Sequence, residues 1–293
     1  MVNRGVITVT GKASVAAAWR SLVNTQDVVG LKVHSSPGPN SGTRLAVAAA
    51  VVEGLLQAKI PPANIIIWDK QTEDLRRAGF FELGARYGVR VESSAAAGYD
   101  QTTFYAPDKP ILGHLIWGDL EFGHTELGVG RKSFVSKLVS KGLTKIINVT
   151  SLLNHYRAGV SGNLYSLTMS SVDNTLRFES DPERLATAVP EIYALQEVGD
   201  RVVLNIVDAL ICQYEGEQTV RLHDSATLNE LRFSTDPVAL DVLSLQELNR
   251  QRQAAKIPVV TNRFELFSNA SELQLGISDP ARIQLEHIRS ESK

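Results

Sequence analysis

Lys32 and His34 stand two residues apart in the run DVVGLKVH (27–34), the spacing that puts two side chains on one face of a β-strand. A cation beside an imidazole could hold an anionic group and move a proton. Polar residues close the other apolar runs in the same way. Asp69 ends NIIIWD (64–69), Asn148 and Thr150 end KIINVT (145–150), Asp208 ends RVVLNIVD (201–208), and Thr235 and Asp236 end LRFSTD (231–236). In open α/β sheets ligands bind beyond the carboxyl ends of the strands, so five strand ends would bring an ammonium, an imidazole, amides, hydroxyls and carboxylates to one rim. The plainer reading is that strands commonly end in polar turn residues and helix caps. Thr235-Asp236-Pro237 illustrates it: proline at the first helical position after such a pair is a standard helix start, so Asp236 reads as a cap before it reads as a ligand. Asp241, five residues on, could face the rim or the solvent.

The segment 148–171 is the most unusual. Asn154, His155 and Arg157 follow a strand-like run and lead into Gly159, Ser161 and Gly162. Small residues there would let backbone N–H groups approach an anion, with Arg157 as a charged clamp. His155 could be a metal ligand, an acid/base group or a hydrogen-bonded spacer, and with Asp208 and Asp236 it makes the candidate metal set. SSPGPNSGT (35–43) is similar to a phosphate cradle, but no lysine follows Gly42 as a Walker loop requires, and GxGxxG is absent. An anion at the following helix N-terminus is an option, although a Pro/Gly turn is the simpler reading. His114, Asp119, His124 and Glu126 could supply metal ligands, yet their spacing fits no firm zinc pattern.

The elements that must position these residues alternate along the chain. Strand-like runs are expected at 5–10, 27–34, 64–69, 88–92, 145–150, 201–208 and 231–235. Helices are expected at 14–23, 43–58, 132–141, 182–196 and 237–252. In the second of these, Leu45, Ala49, Val52 and Leu56 form one apolar stripe, and Pro61 and Pro62 end it. Strands separated by such helices predict an α/β fold: a mainly parallel sheet with helices on both faces, in a single domain spanning 1–293. Residues 98–130, rich in Gly, aromatic and polar residues, break the rhythm and read as a small inserted loop-rich lobe or flap. Residues 257–293 are expected to add an edge strand and a closing amphipathic helix.

Bulk properties narrow the function classes. Hydrophobic residues make up 43% of the 293 and charged ones 21%, with a net charge of −2, so the chain has an ordinary globular composition and no basic excess suited to nucleic acid. No apolar run approaches the roughly 20 residues needed to span a bilayer. Residues 1–10 show no leader, which points to the cytoplasm, or to export if a leader has been removed. Cys212 is the single cysteine, so an internal disulfide and an iron–sulfur cluster held by four of the chain's own thiolates are not expected. It reads as a small core residue.

Five segments together resemble the bacterial and archaeal family called domain of unknown function 362, over about residues 27–252. DVVGLKVH is similar to its opening V-x-I-K-V-N strand, keeping Lys32 but with His34 in place of Asn. IINVTSLLNHYRAGVSGNLYSL (146–167) resembles the central I-N-x-P-x-L-K-x-H…G-V-T…L-K-N-L motif, and SSVDNTLR (170–177) the G-S-x-D-N-x-x-R that follows it in one branch. IVDALICQYEGE (206–217) and STDPVALD (234–241) match the remaining two motifs. There are departures. Leu153 stands where the first family lysine falls, Tyr165 and Ser166 replace the second lysine and its Asn, and Phe178 takes the place of a histidine. The strand ends and the 148–171 segment lead to the expectation of a small ligand, anionic or a metal ion, bound at the carboxyl edge by Lys32, His34, Asn148, Asn154, His155, Arg157, Ser161, Asp208 and Asp236. Two alternatives stand beside it. One is a metal-dependent enzyme, isomerase- or oxidoreductase-like by fold-level analogy to nickel-pincer lactate racemases, with Lys32 holding an anionic substrate group and His155 moving a proton or contacting the metal. The other is a non-catalytic accessory protein that has lost the lysines.

Overall fold

A computed structural model describes residues 1–106, 132–216, 219, 221–260 and 264–289. The chain opens on a helix rather than the expected strand. The β-branched run 5–10 lies in α1 (Val2–Thr10), whose Val2, Gly5 and Val6 share one buried face. Intrinsic strand preference is weak against packing, and here packing decides: Gly5 lies against the Phe233 ring, where a Cβ would come within 2.3 Å. Helix α2 (Val15–Leu22) starts at Ser14, whose hydroxyl accepts the Ala17 N–H.

There follow β1 (Val29–Val33), the short α3 (Gly38–Ser41), α4 (Leu45–Gln57), β2 (Ile65–Asp69), α5 (Thr72–Arg77), α6 (Phe80–Tyr87), β3 (Arg90–Ser93), α7 (Ser94–Ala97) and β4 (Tyr99–Tyr105). After the gap in the described residues come β5 (Ser133–Ser136), β6 (Lys145–His155), β7 (Gly159–Val160), α8 (Asn163–Ser171), α9 (Leu176–Glu179) and α10 (Pro182–Tyr193). The chain continues through β8 (Val202–Gln213), β9 (Ser225–Ser234), α11 (Pro237–Ala254) and α12 (Glu265–Glu272).

The main sheet has the order β3-β2-β1-β6-β8-β9, with β7 folded back on the end of β6. Every neighbouring pair along that order is parallel except β8–β9. The α/β architecture is therefore as expected, but three local expectations are corrected. Residues 231–235 are not a strand after a crossover. They close an antiparallel hairpin in which Ser234 pairs with Asn205, so Thr235 and Asp236 lie at the amino edge, away from the predicted rim. Residues 132–141 are not a helix: β5 pairs with β4 in a separate ribbon, Phe134 packs edge-on against Phe104, and a single π-type turn follows at Leu138–Gly142. The expected lobe begins with β4, while 107–131, with His114, Asp119, His124 and Glu126, lie outside the described residues. At the C-terminus α12 is present, and among the described residues beyond 257 there is no edge strand.

Two apolar cores sandwich the sheet. On one face α1, α2, α4 and α6 cover Val29, Leu31, Val33, Ile65, Ile67, Ile147, Val149, Leu204 and Ile206. On the other, α8, α10, α11 and α12 cover Ile66, Trp68, Ile146, Val207 and Ala209, and Cys212 is buried in that second core, as expected. Helix α4 turns Val47, Ala48, Val51, Val52 and Leu55 inward rather than the stripe through Leu45, Ala49 and Leu56, which stay half-buried. It is apolar almost all round, so periodicity could not choose its face. Among the described residues no helix is long and apolar enough to cross a membrane.

This order contains a switch point. From β1 the chain moves through α4 on the first face to β2; from the adjacent β6 it moves the other way, through α8 and α10 on the second face, to β8. Connections of one hand that diverge from neighbouring strands lie on opposite faces, leaving a crevice beyond the carboxyl ends of β1 and β6.

The packing of α2 on α4 is tight: a Cβ at Gly54 would lie 2.0 Å from the Trp19 indole nitrogen, and Trp19 is wholly buried. Gly54→Ala should destabilise the protein by about 1–3 kcal/mol despite its gain in helix propensity. A urea midpoint equal to or above wild type would show that the two helices can part without cost.

Candidate functional site

At the crevice, β1 and β2 deliver Lys32 and Asp69. Lys32 is wholly buried, 3.3 Å from Asp69 Oδ1. Its ammonium donates to Val33 O at 2.7 Å and Ser166 Oγ at 2.8 Å. With Asp69, those partners account for all three ammonium protons. Asp69 is equally engaged. Oδ2 accepts from Ser35 N (2.7 Å) and Ser35 Oγ (2.6 Å), and Oδ1 from Lys70 N (2.8 Å) and Ser170 Oγ (2.5 Å). Burial pushes the Asp69 carboxyl up, but the Lys32 charge, His34 and the serine hydroxyls outweigh it and bring the pKa down to about 2. Burial also lowers the Lys32 pKa, against the pull of Asp69. Helix α8 makes the pair possible: all nine of its residues are buried, and Ser166 and Ser170, one turn apart, both face the pair. Lys32 thus joins β1, β2 and α8, and keeps no free proton for a ligand.

Two imidazoles lie next to this pair. His34 is 5% exposed and its Nδ1 sits 3.1 Å from Ser151 Oγ. Burial first, and then the Lys32 charge, depress its pKa to about 3, with a smaller contribution from His155, so the ring is neutral near pH 7. His155 closes the turn between β6 and β7. Its Nδ1 accepts from Ala158 N at 3.0 Å and Arg157 N at 3.3 Å, which puts the proton of the neutral ring on Nε2. The ring stacks on Tyr165 with centroids 4.2 Å apart, and Tyr165 donates to Glu179 at 3.1 Å.

Lys70, which composition and spacing had not singled out, is half-buried immediately after β2. Its ammonium donates to Asp173 O at 3.1 Å, and burial lowers its pKa against the pull of Glu179, Asp173 and Asp69. The signal for it was its place directly after Asp69 at a strand end. Beside it the SSVDNTLR segment is anchoring machinery. Asp173 Oδ1 accepts from Phe134 N and Asn174 N, while Arg177 donates to Ser133 Oγ and Tyr105 O and lies over the Tyr105 ring. These contacts clamp the β4–β5 ribbon to the main body.

Of the sequence candidates, then, Lys32, His34 and His155 come together with Asp69, and the others go elsewhere. Asp208 is mid-strand, because β8 runs on to Gln213, and it faces the α4 side. It pairs with Arg44 at 2.8 Å and accepts the Arg44 N–H at 3.0 Å, anchoring the start of α4. Asp236 caps α11 through Ala239 N (2.8 Å) and also accepts from Ile277 N (2.9 Å). These two carboxylates do not join His155 in one metal set. Arg157 is exposed and lines a separate cleft of about 460 Å³ with Asp181, Glu183, Ala186, Glu265 and Leu266, so it does not clamp an anion beside His155. Asn154 is buried in the β6–β7 pairing, opposite Val160. Asn148 and Ser161 are buried beneath α8, where Asn148 donates to Asn163 O and Asn205 Oδ1. Asp241 faces neither rim nor solvent but the N-terminus of α8. The loop 35–43 is a closed turn, not an open cradle. Its Ser35, Gly38, Gly42 and Thr43 N–H groups go to Asp69, Ser35 O, Gly38 O and His34 O.

The family model described as Domain of unknown function (DUF362) matches residues 29–246, and the chain belongs to that family. No curated protein matches it. A crystal structure of a Thermotoga maritima protein, a structural-genomics target, aligns with a TM-score of 0.43 and 11% identity over 83% of this chain. The chain spans 57% of that protein's length. At the positions where this member departs from the family motif, Leu153 and Phe178 are buried, Tyr165 supports His155, and Ser166 holds Lys32.

Two measurements probe this arrangement. Lys32→Met leaves Asp69 buried without its cation and should cost about 3–5 kcal/mol, part of which returns in the double variant with Asp69→Asn. A single variant as stable as wild type would remove the pair from the fold's foundations. The second concerns pH. His34 takes its proton near pH 6.5 when unfolded and near pH 3 when folded, so its contribution is present above pH 6.5 and lost as pH falls through that window. The slope is about 1.4 kcal/mol per pH unit. Asp69 adds its own loss only below about pH 4. His34→Asn should flatten the loss between pH 6 and 4, and an unchanged profile would mean that the imidazole is not buried neutral.

Proposed function

We propose, from the family membership and this geometry, that the protein binds a small anionic molecule in the crevice beyond β1, β2 and β6, against His34, His155 and Lys70. The observation that carries the reading is the pair of buried imidazoles beside Lys32 and Asp69 at the switch point of the sheet, with the half-buried Lys70 directly after Asp69. Lys32 supports the site from below: it is fully committed to Asp69, Ser166 and Val33, so the contacting cation is Lys70. His34 presents Nε2–H as a donor when Ser151 donates to its Nδ1, and the His155 ring forms part of the wall of the crevice. Neutral N–H donors with one nearby ammonium suit a carboxylate or phosphate group.

The metal-dependent alternative meets a specific obstacle. A metal-bound imidazole normally donates its second N–H outward. His155 Nδ1 instead accepts two backbone N–H groups, so its Nε2 lone pair is not available to a metal while that turn is intact.

The test is thermal stabilisation of the untagged protein by inorganic phosphate, pyrophosphate and short α-hydroxycarboxylates, repeated on Lys70→Met. We expect one of these probes to raise the midpoint in wild type and to bind about tenfold more weakly in the variant. Stabilisation by none of them, or an equal response in Lys70→Met, would defeat the anion reading. Elemental analysis of the same protein supplies the opposing outcome: a near-stoichiometric transition metal that disappears in His155→Ala would replace this reading by the metal-dependent one.

A further inference from the structure

A second polar centre lies under the N-terminus of α8, independent of His34, His155 and Lys70. Asp241, on α11, is 1% exposed. Its Oδ1 accepts from Asn163 N at 2.6 Å and Asn163 Nδ2 at 2.8 Å, and its Oδ2 from Leu164 N at 2.9 Å. A side chain at Gly162 would come within 2.2 Å of Oδ1, so only glycine lets the helix end approach the carboxylate this closely. Yet among the described residues no Lys, Arg or His lies within ion-pair distance of Asp241. A helix N-terminus and three N–H groups favour the charge without cancelling it.

Unsatisfied oxygen atoms lie on the segments that meet at this helix end. Among the described residues Asn148 Oδ1, Thr150 Oγ1, Ser161 Oγ, Asn163 Oδ1 and Ser244 Oγ are buried with no hydrogen-bond partner. Such atoms are uncommon in folded proteins and call for a partner, water or an ion. Their connections draw them to one place. The Asn163 amide bridges directly to Asp241, and Ser161 precedes it by two residues. Ser244 is one turn from Asp241 on the same face of α11. Asn148 bonds to Asn163 O, and Thr150 follows Asn148 on the same face of β6. Both amides are fixed in orientation, because Asn148 Nδ2 and Asn163 Nδ2 already donate. What remains at each is an acceptor oxygen.

We propose that Asp241 and these oxygens form a buried binding site for a monovalent metal cation, sodium or potassium, which ties the start of α8 to β6 and α11. Two amide oxygens and three hydroxyls around a single carboxylate are hard neutral donors with one negative charge, which balances one positive charge. A divalent ion would call for more carboxylates, and among the described residues no group of three His, Cys, Asp or Glu side chains could hold a metal. Water could satisfy the hydrogen bonds but would leave the charge uncancelled.

The experiment compares thermal midpoints in potassium, sodium and choline chloride at matched ionic strength and one pH. Potassium or sodium should raise the midpoint by several degrees over choline and saturate with concentration. Ser244→Ala and Thr150→Val, mild changes that keep the core, should each raise the half-saturating concentration about tenfold, and Asp241→Asn should abolish the response. Equal midpoints in all three salts would overturn the proposal, as would an unchanged response in both hydroxyl variants. Stabilisation by calcium or magnesium without any by potassium or sodium would also overturn it.

Discussion

The buried ion pair of Lys32 and Asp69 is the constraint around which the carboxyl half of this sheet is built. An ammonium and a carboxylate removed from water are tolerable only if every remaining proton and lone pair is satisfied. Here that requirement reaches into four parts of the chain at once: β1 supplies the lysine, β2 the aspartate, the 35–43 turn a serine, and α8 two more. Helix α8 sends Leu164, Tyr165, Leu167 and Met169 into the second core, yet its serines, Thr168 and Asn163 are buried as well. Its burial makes sense once its serines are seen as the lining of a charge pair, and once Asp241 is seen holding its first turn from the opposite side.

The histidines follow from the same constraint. A ring placed beside Lys32 cannot easily accept a proton, so His34 is kept neutral by its neighbour as well as by burial. His155 is oriented by two backbone N–H groups of its own turn, both directed at its Nδ1. The replacements that distinguish this member from the family motif act on that neighbourhood. Tyr165 gives His155 an aromatic wall and Ser166 gives Lys32 an acceptor, where the motif carries a lysine and an asparagine.

The carboxylates that were prominent as strand ends mostly serve the architecture. Asp208 fastens α4 through Arg44, Asp236 caps α11 and tethers Ile277, and Asp173 with Arg177 fastens the β4–β5 ribbon. Each satisfies backbone or guanidinium donors that would otherwise be left unpaired, the commonest use of an acidic residue at the end of an element.

From the residues alone, the α/β class, the parallel order of the central strands, the family and the pairing of Lys32 with His34 on one strand could be determined, because all of these rest on local periodicity and short motifs. Asp236 was legible as a cap for the same reason: Thr-Asp-Pro is a local signal. Local signals did not carry far enough elsewhere. Residues 5–10 have strand-like composition, but only contact with Phe233 and the neighbouring helices makes them α1. That β9 turns back against β8, and so takes Thr235 and Asp236 to the opposite edge, depends on a pairing between distant residues. That Asp208 sits mid-strand depends on how far β8 continues, and Lys32 is closed by a serine 134 positions later in the chain. Sequence states which polar groups are present. Which of them satisfy one another, and which are left over for a ligand, is decided by packing that brings remote segments into the same low-dielectric space.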